Sequence, residues 1–230
     1  MMRGFAREYP LTALLLLANL LFYLLSAFCS GRIGSIDNRT LVECGALFGP
    51  AVVRGGEWWR LMSAMFLHAG LEHLALNMVS LVIVGRMVER YFSRRCMLVI
   101  YLAAGVTGFL FSLFVHPDSV AVGASGAIFG LFGAMGGYAL FHRRRLGERY
   151  RIFMKEFGAI LGLNLLLGIL IPGIDMSAHI GGLLLGCVGG YLAIRNRNAL
   201  WVFLGGVALA SVWGVMSWLP GYFAIQSVLL

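Results

Sequence analysis

The stretch Val120–Leu140, VAVGASGAIFGLFGAMGGYAL, is apolar and rich in small residues. It holds one serine, Ser125, flanked by Gly123 and Gly126. A transmembrane helix accommodates such a serine readily, because hydroxyls bond the backbone or a neighbouring helix in lipid. Whether Ser125 serves packing or chemistry is decided by what the rest of the chain brings to its depth.

The 230 residues are 60% hydrophobic and 12% charged, about half the charge of a typical soluble domain. Mean hydropathy is +0.87. The 31 glycines suit close helix packing in lipid. No stretch reads as a large soluble domain, a low-complexity tail or a long-period repeat. These features give an all-α polytopic membrane protein. The opening MMRGFAREYPLTALLLLANLLFYLLSAFCS is basic and then apolar, like a signal peptide. Its apolar run is too long for an h-region and no small-x-small cleavage site follows, so it reads as a first spanning helix.

A span needs about 20 apolar residues. Seven segments approach that length: roughly 10–28, 67–86, 96–115, 122–141, 157–172, 176–194 and 199–219. The fifth is short and ends at IPG, Ile171–Gly173. The chain is therefore expected to be one integral membrane domain over 1–230, with a core of about 10–194 and an extra helix of about 199–219.

The net charge of +8 is explained by topology, not by nucleic acid. Arg3 and Arg7 precede the first span. Arg86, Arg90, Arg94 and Arg95 lie in the second loop. Arg143, Arg144, Arg145, Arg149, Arg151 and Lys155 lie in the fourth, and Arg195 and Arg197 in the sixth. The third and fifth loops and the C-terminal tail carry none. The positive-inside rule then puts the N-terminus in the cytoplasm and the C-terminus outside. The long first loop keeps Arg32, Arg39, Arg54 and Arg60, and its GGEWWRLMSAMF is expected to lie partly in the membrane as short helices.

Spans two, four and six run in the same direction. His73 and Asn77 sit at i, i+4 on span two and share a face. Ser125 lies in the first turn or so of span four, and His179 in that of span six. At 1.5 Å per residue all three sites fall in the outer third of the bilayer. Polar side chains there face a bundle interior or a water-filled cavity. A serine, a base and hydrogen-bond donors are the parts of acyl transfer by a serine nucleophile. Taken singly, Ser125 and Asn77 have bland readings as interhelical packing, and His68 and His179 as interfacial residues.

Four motifs carry a specific resemblance: EWWR (Glu57–Arg60), HLALN (His73–Asn77), GASG (Gly123–Gly126) and AHIGGLLLG (Ala178–Gly186). Together, and in this order, they resemble the rhomboid family of intramembrane serine proteases over about 57–190. The resemblance implies a bacterial-type six-helix bundle plus one additional C-terminal transmembrane helix. It implies Ser125 as nucleophile and His179 as general base and then acid. His73, Asn77 and the Ser125 backbone N–H would hold the oxyanion. Trp59 and Arg60 would stabilise the first loop, and His68 matches a family histidine near the cavity. Phe129 stands where some relatives carry a tyrosine stacked on the catalytic histidine. Gly123 and Gly126 clear room for backbone and substrate. Gly182 and Gly186 form a small-residue face with His179 one turn before, for packing helix six on helix four.

Asp175 precedes His179 by four residues, but Asp favours the N-cap and is expected to cap helix six. The resemblance itself implies a Ser–His dyad. A metalloprotease is excluded by spacing. HExxH needs histidines at i, i+4 with Glu after the first, whereas His68 and His73 are i, i+5, about 140° apart on a helix, and Glu72 precedes His73. A transporter would show paired intramembrane charges or broken-helix repeats, which are lacking here. The alternative within the family is a catalytically inactive member that binds membrane clients; such relatives lose the Ser or the His.

The expected function is hydrolysis of peptide bonds in or near transmembrane segments, in the cell (inner) membrane, with the active site opening outward. The expected partners are transmembrane protein substrates and the lipid bilayer, with no nucleic acid or nucleotide. No cofactor is expected. The cysteines show no metal spacing; Cys29 and Cys44 fall on one side of the membrane, where an oxidising compartment would allow pairing.

Overall fold

The computed structural model describes residues 2–170 and 174–223. The short helix α1 (Met2–Glu8) leads into α2 (Pro10–Ser30). Proline at the first helical position suits the start of α2. Its N-terminus is also closed from outside: the Glu89 carboxylate accepts from the Leu11 and Thr12 backbone N–H groups, each at 2.9 Å. That glutamate is invisible to any motif search, yet it satisfies two donors that a helix start leaves open.

The first loop is built of short pieces. These are α3 (Asn38–Glu43), β1 (Leu47–Phe48), α4 (Gly49–Val53), α5 (Arg60–Ser63) and a 3-10 turn over Ala64–Phe66. The long helices follow: α6 (Leu71–Tyr91), α7 (Arg94–Val115), α8 (Ser125–Leu146), α9 (Glu148–Leu170), α10 (Met176–Arg195) and α11 (Arg197–Trp213). A π-helical turn over Gly214–Trp218 continues α11 to Phe223. The strand β2 (Val120–Ala121) pairs antiparallel with β1, fastening the first loop to the entry of α8.

The fold is thus an all-α bundle. Among the described residues six helices, α2, α6, α7, α9, α10 and α11, are long and apolar enough to cross a membrane. The α8 helix is as long but is diluted by glycine. It is walled by protein: Gly126 through Met135 are all buried. A helix lined by protein does not need the hydropathy that lipid demands.

Several boundaries differ from the sequence expectation, each for a local reason. Span two starts at Leu71, not 67, because the 3-10 turn and an extended segment occupy the preceding residues. Span four starts at Ser125, not 122, because Val120 and Ala121 pair as a strand. Span five starts at Glu148, not 157; Arg149, Arg151 and Lys155 lie on its first turns, where the polar face is exposed. The fourth loop shrinks to a turn at Gly147, with φ +53°. The IPG boundary of span five lies outside the described residues.

The contact that sets the bundle is between α8 and α10. A Cβ at Gly182 would lie 2.0 Å from the Gly126 carbonyl oxygen. At Gly186 it would lie 1.9 Å from the Gly130 oxygen, and at Gly190 2.4 Å from the Ala134 oxygen. Three successive turns of α10 therefore touch three successive turns of α8, backbone to backbone. Residue numbers rise together along the seam, so the two helices are parallel. On the other side of α8, a Cβ at Gly130 would lie 2.1 Å from the Ala104 Cβ of α7.

Such a seam tolerates no added volume, because backbone cannot move aside as a side chain can. Gly186→Ala is expected to lower stability by about 1–3 kcal/mol in thermal unfolding in detergent. Gly158→Ala, whose added Cβ would meet nothing within 4 Å, is expected to be neutral or stabilising, since alanine exceeds glycine in helix propensity by about 1 kcal/mol. Equal melting temperatures for the two variants would contradict the seam.

Candidate active site

A cavity of about 700 Å³ opens between α6, α8, α9 and α10, with α3 and the α7–β2 connection at its edge. His73, Asn77, Ser125, Phe129 and His179 all line it. The bundle thus brings to one cavity the polar residues that the sequence spreads over three helices.

Ser125 is the first residue of α8. At that position its backbone N–H has no intrahelical acceptor and sits at the positive end of the helix dipole. The turn that delivers it depends on Gly123, whose φ is +125°. The Gly123 N–H donates to the Ala64 carbonyl at 2.9 Å, which ties the turn to the first loop. A Cβ at Gly123 would also lie 2.8 Å from Nε2 of His73. Glycine is required there twice, by conformation and by the imidazole packed against it.

His179 lies in the first turn of α10, buried at 5% exposure. Its ring stacks on Phe129, with centroids 4.2 Å apart and planes 12° from parallel. Phe129 and Ser125 are one helical turn apart on α8, so a single face of that helix presents the hydroxyl and holds the imidazole. His179 Nδ1 is buried and has no hydrogen-bond partner among the described residues. No hydrogen bond joins Ser125 to His179; His179 reaches the same cavity as Ser125.

The Asp175 carboxylate caps α10. It accepts from the Ser177 N–H at 3.0 Å, the Ala178 N–H at 3.2 Å and the Ser177 hydroxyl. Its side chain makes no hydrogen bond to the imidazole, so the capping reading holds over the triad one.

Asn77 is buried and donates one amide hydrogen to the His73 carbonyl at 3.0 Å. His68 lies before α6, fully buried, and does not line the cavity. Its ring meets that of His73 edge-on, 5.1 Å between centroids. The sequence reading set it at the start of the spanning helix; the structure sets it behind His73, in the first loop's closing segment. Arg60 and Trp59 also lie away from the cavity. Arg60, 6% exposed, donates through Nη1 to the Val42 and Ala46 carbonyls at 2.7 and 2.9 Å. Its Nε donates to Glu57 at 2.6 Å, and the Trp59 ring lies 4.8 Å from its guanidinium carbon. One buried cation thereby pins the first loop. Gly182 and Gly186 belong to the seam with α8.

The cavity also contains residues that the motifs missed. Asn38 and Leu41 come from α3, His116 and Asp118 from the connection after α7, and Asn164 from α9. Of these only Asn164 carried a signal, as a lone polar residue within the apolar run GAILGLNLLLGIL. Among the described residues no group of three or more His, Cys, Asp or Glu is placed to hold a metal ion.

The family model for the rhomboid domain matches residues 55–196. The chain belongs to the rhomboid family. It is 42% identical over 164 residues to Rhomboid protease GluP of Bacillus subtilis (strain 168), covering 70% of this chain and 30% of that protein. It is 39% identical over 171 residues to RHOMBOID-like protein 6, mitochondrial, of Arabidopsis thaliana, covering 72% and 53%. It is 40% identical over 168 residues to RHOMBOID-like protein 2 of the same plant, covering 70% and 50%. The aligned part of this rhomboid thus spans from under a third to about half of these relatives' own lengths. With its apolar helices, the family makes it a multi-pass membrane protein.

The turn at Gly123 offers a direct check on how tightly His73 is set. Gly56 also has positive φ, +67°, but a Cβ there would meet nothing within 4 Å. Alanine meets a backbone cost of about 1–2 kcal/mol at Gly56, in the left-handed α region, and of up to about 3 kcal/mol at Gly123, whose φ of +125° lies beyond it. Gly123→Ala is expected to lose at least about 1 kcal/mol more, because its φ is less accessible to alanine and the imidazole must also move. Thermal unfolding of both variants measures the difference, and equal losses would remove His73 from contact with the turn.

Proposed function

We propose that this rhomboid is an intramembrane serine endopeptidase that cleaves peptide bonds in or near transmembrane segments through a Ser125–His179 dyad. The observation that carries the reading is the shared cavity. It holds a hydroxyl at a helix N-terminus, an imidazole stacked on the same helix one turn on, and two further polar groups, His73 and Asn77, on the facing helix.

In this reading His179 takes the Ser125 proton as the hydroxyl oxygen attacks the scissile carbonyl carbon. The negative oxygen of the tetrahedral intermediate is met by the Ser125 N–H, His73 and Asn77. His179 then gives its proton to the leaving amine. Water, activated by the same imidazole, hydrolyses the acyl-serine and returns the enzyme. No cofactor enters any step. Phe129 keeps the imidazole plane fixed through the cycle, and its lack of a hydroxyl leaves the ring stacked without a further hydrogen bond.

A substrate helix must unwind locally to expose its peptide bond, and lipid cannot satisfy the freed backbone groups. Entry beside α9 fits this need. Among its described residues only Phe157 and Gly168 are buried, and Asn164, Leu167 and Gly168 line the cavity. Helix-destabilising residues near the cut, and a small residue before it, are expected in substrates. The distribution of arginines supports a cytoplasmic N-terminus, with the cavity and the C-terminus on the outer side of the cell membrane. The chain reads as one membrane domain, with α11 added to a six-helix core.

The test is cleavage of a model transmembrane substrate by purified protein in detergent. Ser125→Ala and His179→Ala are each expected to reduce the rate at least about a thousandfold. Asn77→Ala, which removes one oxyanion donor, is expected to cost about 10²–10³. Retained cleavage in the Ser125 or His179 variant would reject the dyad. A wild-type chain that binds but does not cleave substrate would favour the client-binding alternative.

A further inference from the structure

A second pair of reactive side chains lies outside the cavity. Cys29 is in the last turn of α2 and is exposed; Cys44 follows the end of α3 and is half-buried. The ends of α2 and α3 pack against each other, with Ala27 and Cys44 at one buried cluster, and the Cys29 thiol is a near electrostatic neighbour of Cys44; both thiols are free. The elements that carry them are firmly set. Tyr23 and Ala27 of α2 share one buried cluster with Ile36, Leu41 and Ala46, and Cys44 packs against it. The Tyr23 hydroxyl donates to the Ile33 carbonyl, closing the connection between the two helices. Asp37 caps α3 by accepting from the Thr40 N–H at 3.0 Å. Cys96 and Cys187 lie on other helices, α7 and α10, and take no part.

We propose that Cys29 and Cys44 form a disulfide that ties α3 to the end of α2. The oxidant is by class another disulfide, carried by a small thiol or a thiol oxidoreductase of an oxidising compartment. Cys29, exposed, is the thiol such an oxidant reaches first. Its thiolate attacks the oxidant's disulfide, forms a mixed disulfide and releases one thiol. The Cys44 thiolate then attacks the Cys29 sulfur and releases the second. One S–S bond forms and one breaks, two electrons pass to the oxidant, and the two cysteine protons leave on its two thiols. Burial, and then the neighbouring Cys29, raise the Cys44 thiol pKa, which suits it to the second, intramolecular attack, where proximity compensates for a smaller thiolate fraction.

The cross-link has a consequence for the cavity. The α3 helix supplies Asn38 and Leu41 to the cavity wall, so the bond fixes one side of the opening. The pairing goes beyond the proposed proteolysis and is read without it.

Differential thiol labelling tests it. Intact cells expressing the full chain are denatured directly in N-ethylmaleimide, reduced, and labelled with a second maleimide of different mass. Peptide mass spectrometry is expected to find the second label on Cys29 and Cys44 and the first on Cys96 and Cys187. In Cys29→Ser, Cys44 is expected to switch to the first label. On a non-reducing gel the wild-type chain is expected to run as a monomer. The first label on Cys29 and Cys44 in the wild type would overturn the proposal. So would the second label persisting on Cys44 in Cys29→Ser, or a reducible wild-type dimer.

Discussion

The backbone contact between α8 and α10 is the constraint on which the rest of the molecule depends. In lipid no hydrophobic force presses helices together, so association rests on close packing. Gly182, Gly186 and Gly190 leave no side chain between the two backbones over three turns. Because the helices are parallel and in register, their N-termini arrive at one level. Ser125 opens α8, and His179 sits in the first turn of α10. The seam thereby sets the spacing of the two groups without any residue of the site having to enforce it.

The remaining parts support that placement from outside. Phe129 holds the imidazole by its face, and Asp175 fixes the start of α10. The first loop reaches α8 twice, through the β1–β2 pair and through the Gly123 N–H on the Ala64 carbonyl. That loop is in turn held by Arg60. A buried cation is costly unless every donor finds a partner, and Arg60 meets two carbonyls and a carboxylate. The chain from Arg60 to Ser125 is one of satisfied polar groups inside an otherwise apolar bundle.

Much of this was legible in the sequence. Runs of apolar residues gave the helices, because lipid imposes a length and a composition. The distribution of arginine made spans two, four and six run the same way, and the structure brings residues from all three to one cavity. The positions four apart at Gly182 and Gly186 announced the seam. What escaped was set by tertiary contact. The early start of α9 follows from helix-forming charged residues that look like a loop when only hydropathy is read. The strand that delays α8 needs a partner some seventy residues away, Leu47–Phe48. Asn38 and Asn164 join the cavity only because α3 and α9 pack beside it, and Glu89 caps α2 only because α6 runs alongside. His68 matched a family position, but its place behind His73 depends on a turn that no periodicity encodes.

The most direct measurement is the rate at which a fluorophosphonate labels Ser125 in wild-type protein and in Gly182→Ala. That substitution touches neither Ser125 nor His179; it forces apart the backbones beside them, at a contact of 2.0 Å. A displacement of about 1 Å costs about a hundredfold in well-oriented reactions. The account predicts a loss of labelling of that order, while Gly158→Ala labels as the wild type does. Labelling of Gly182→Ala at the wild-type rate would contradict it.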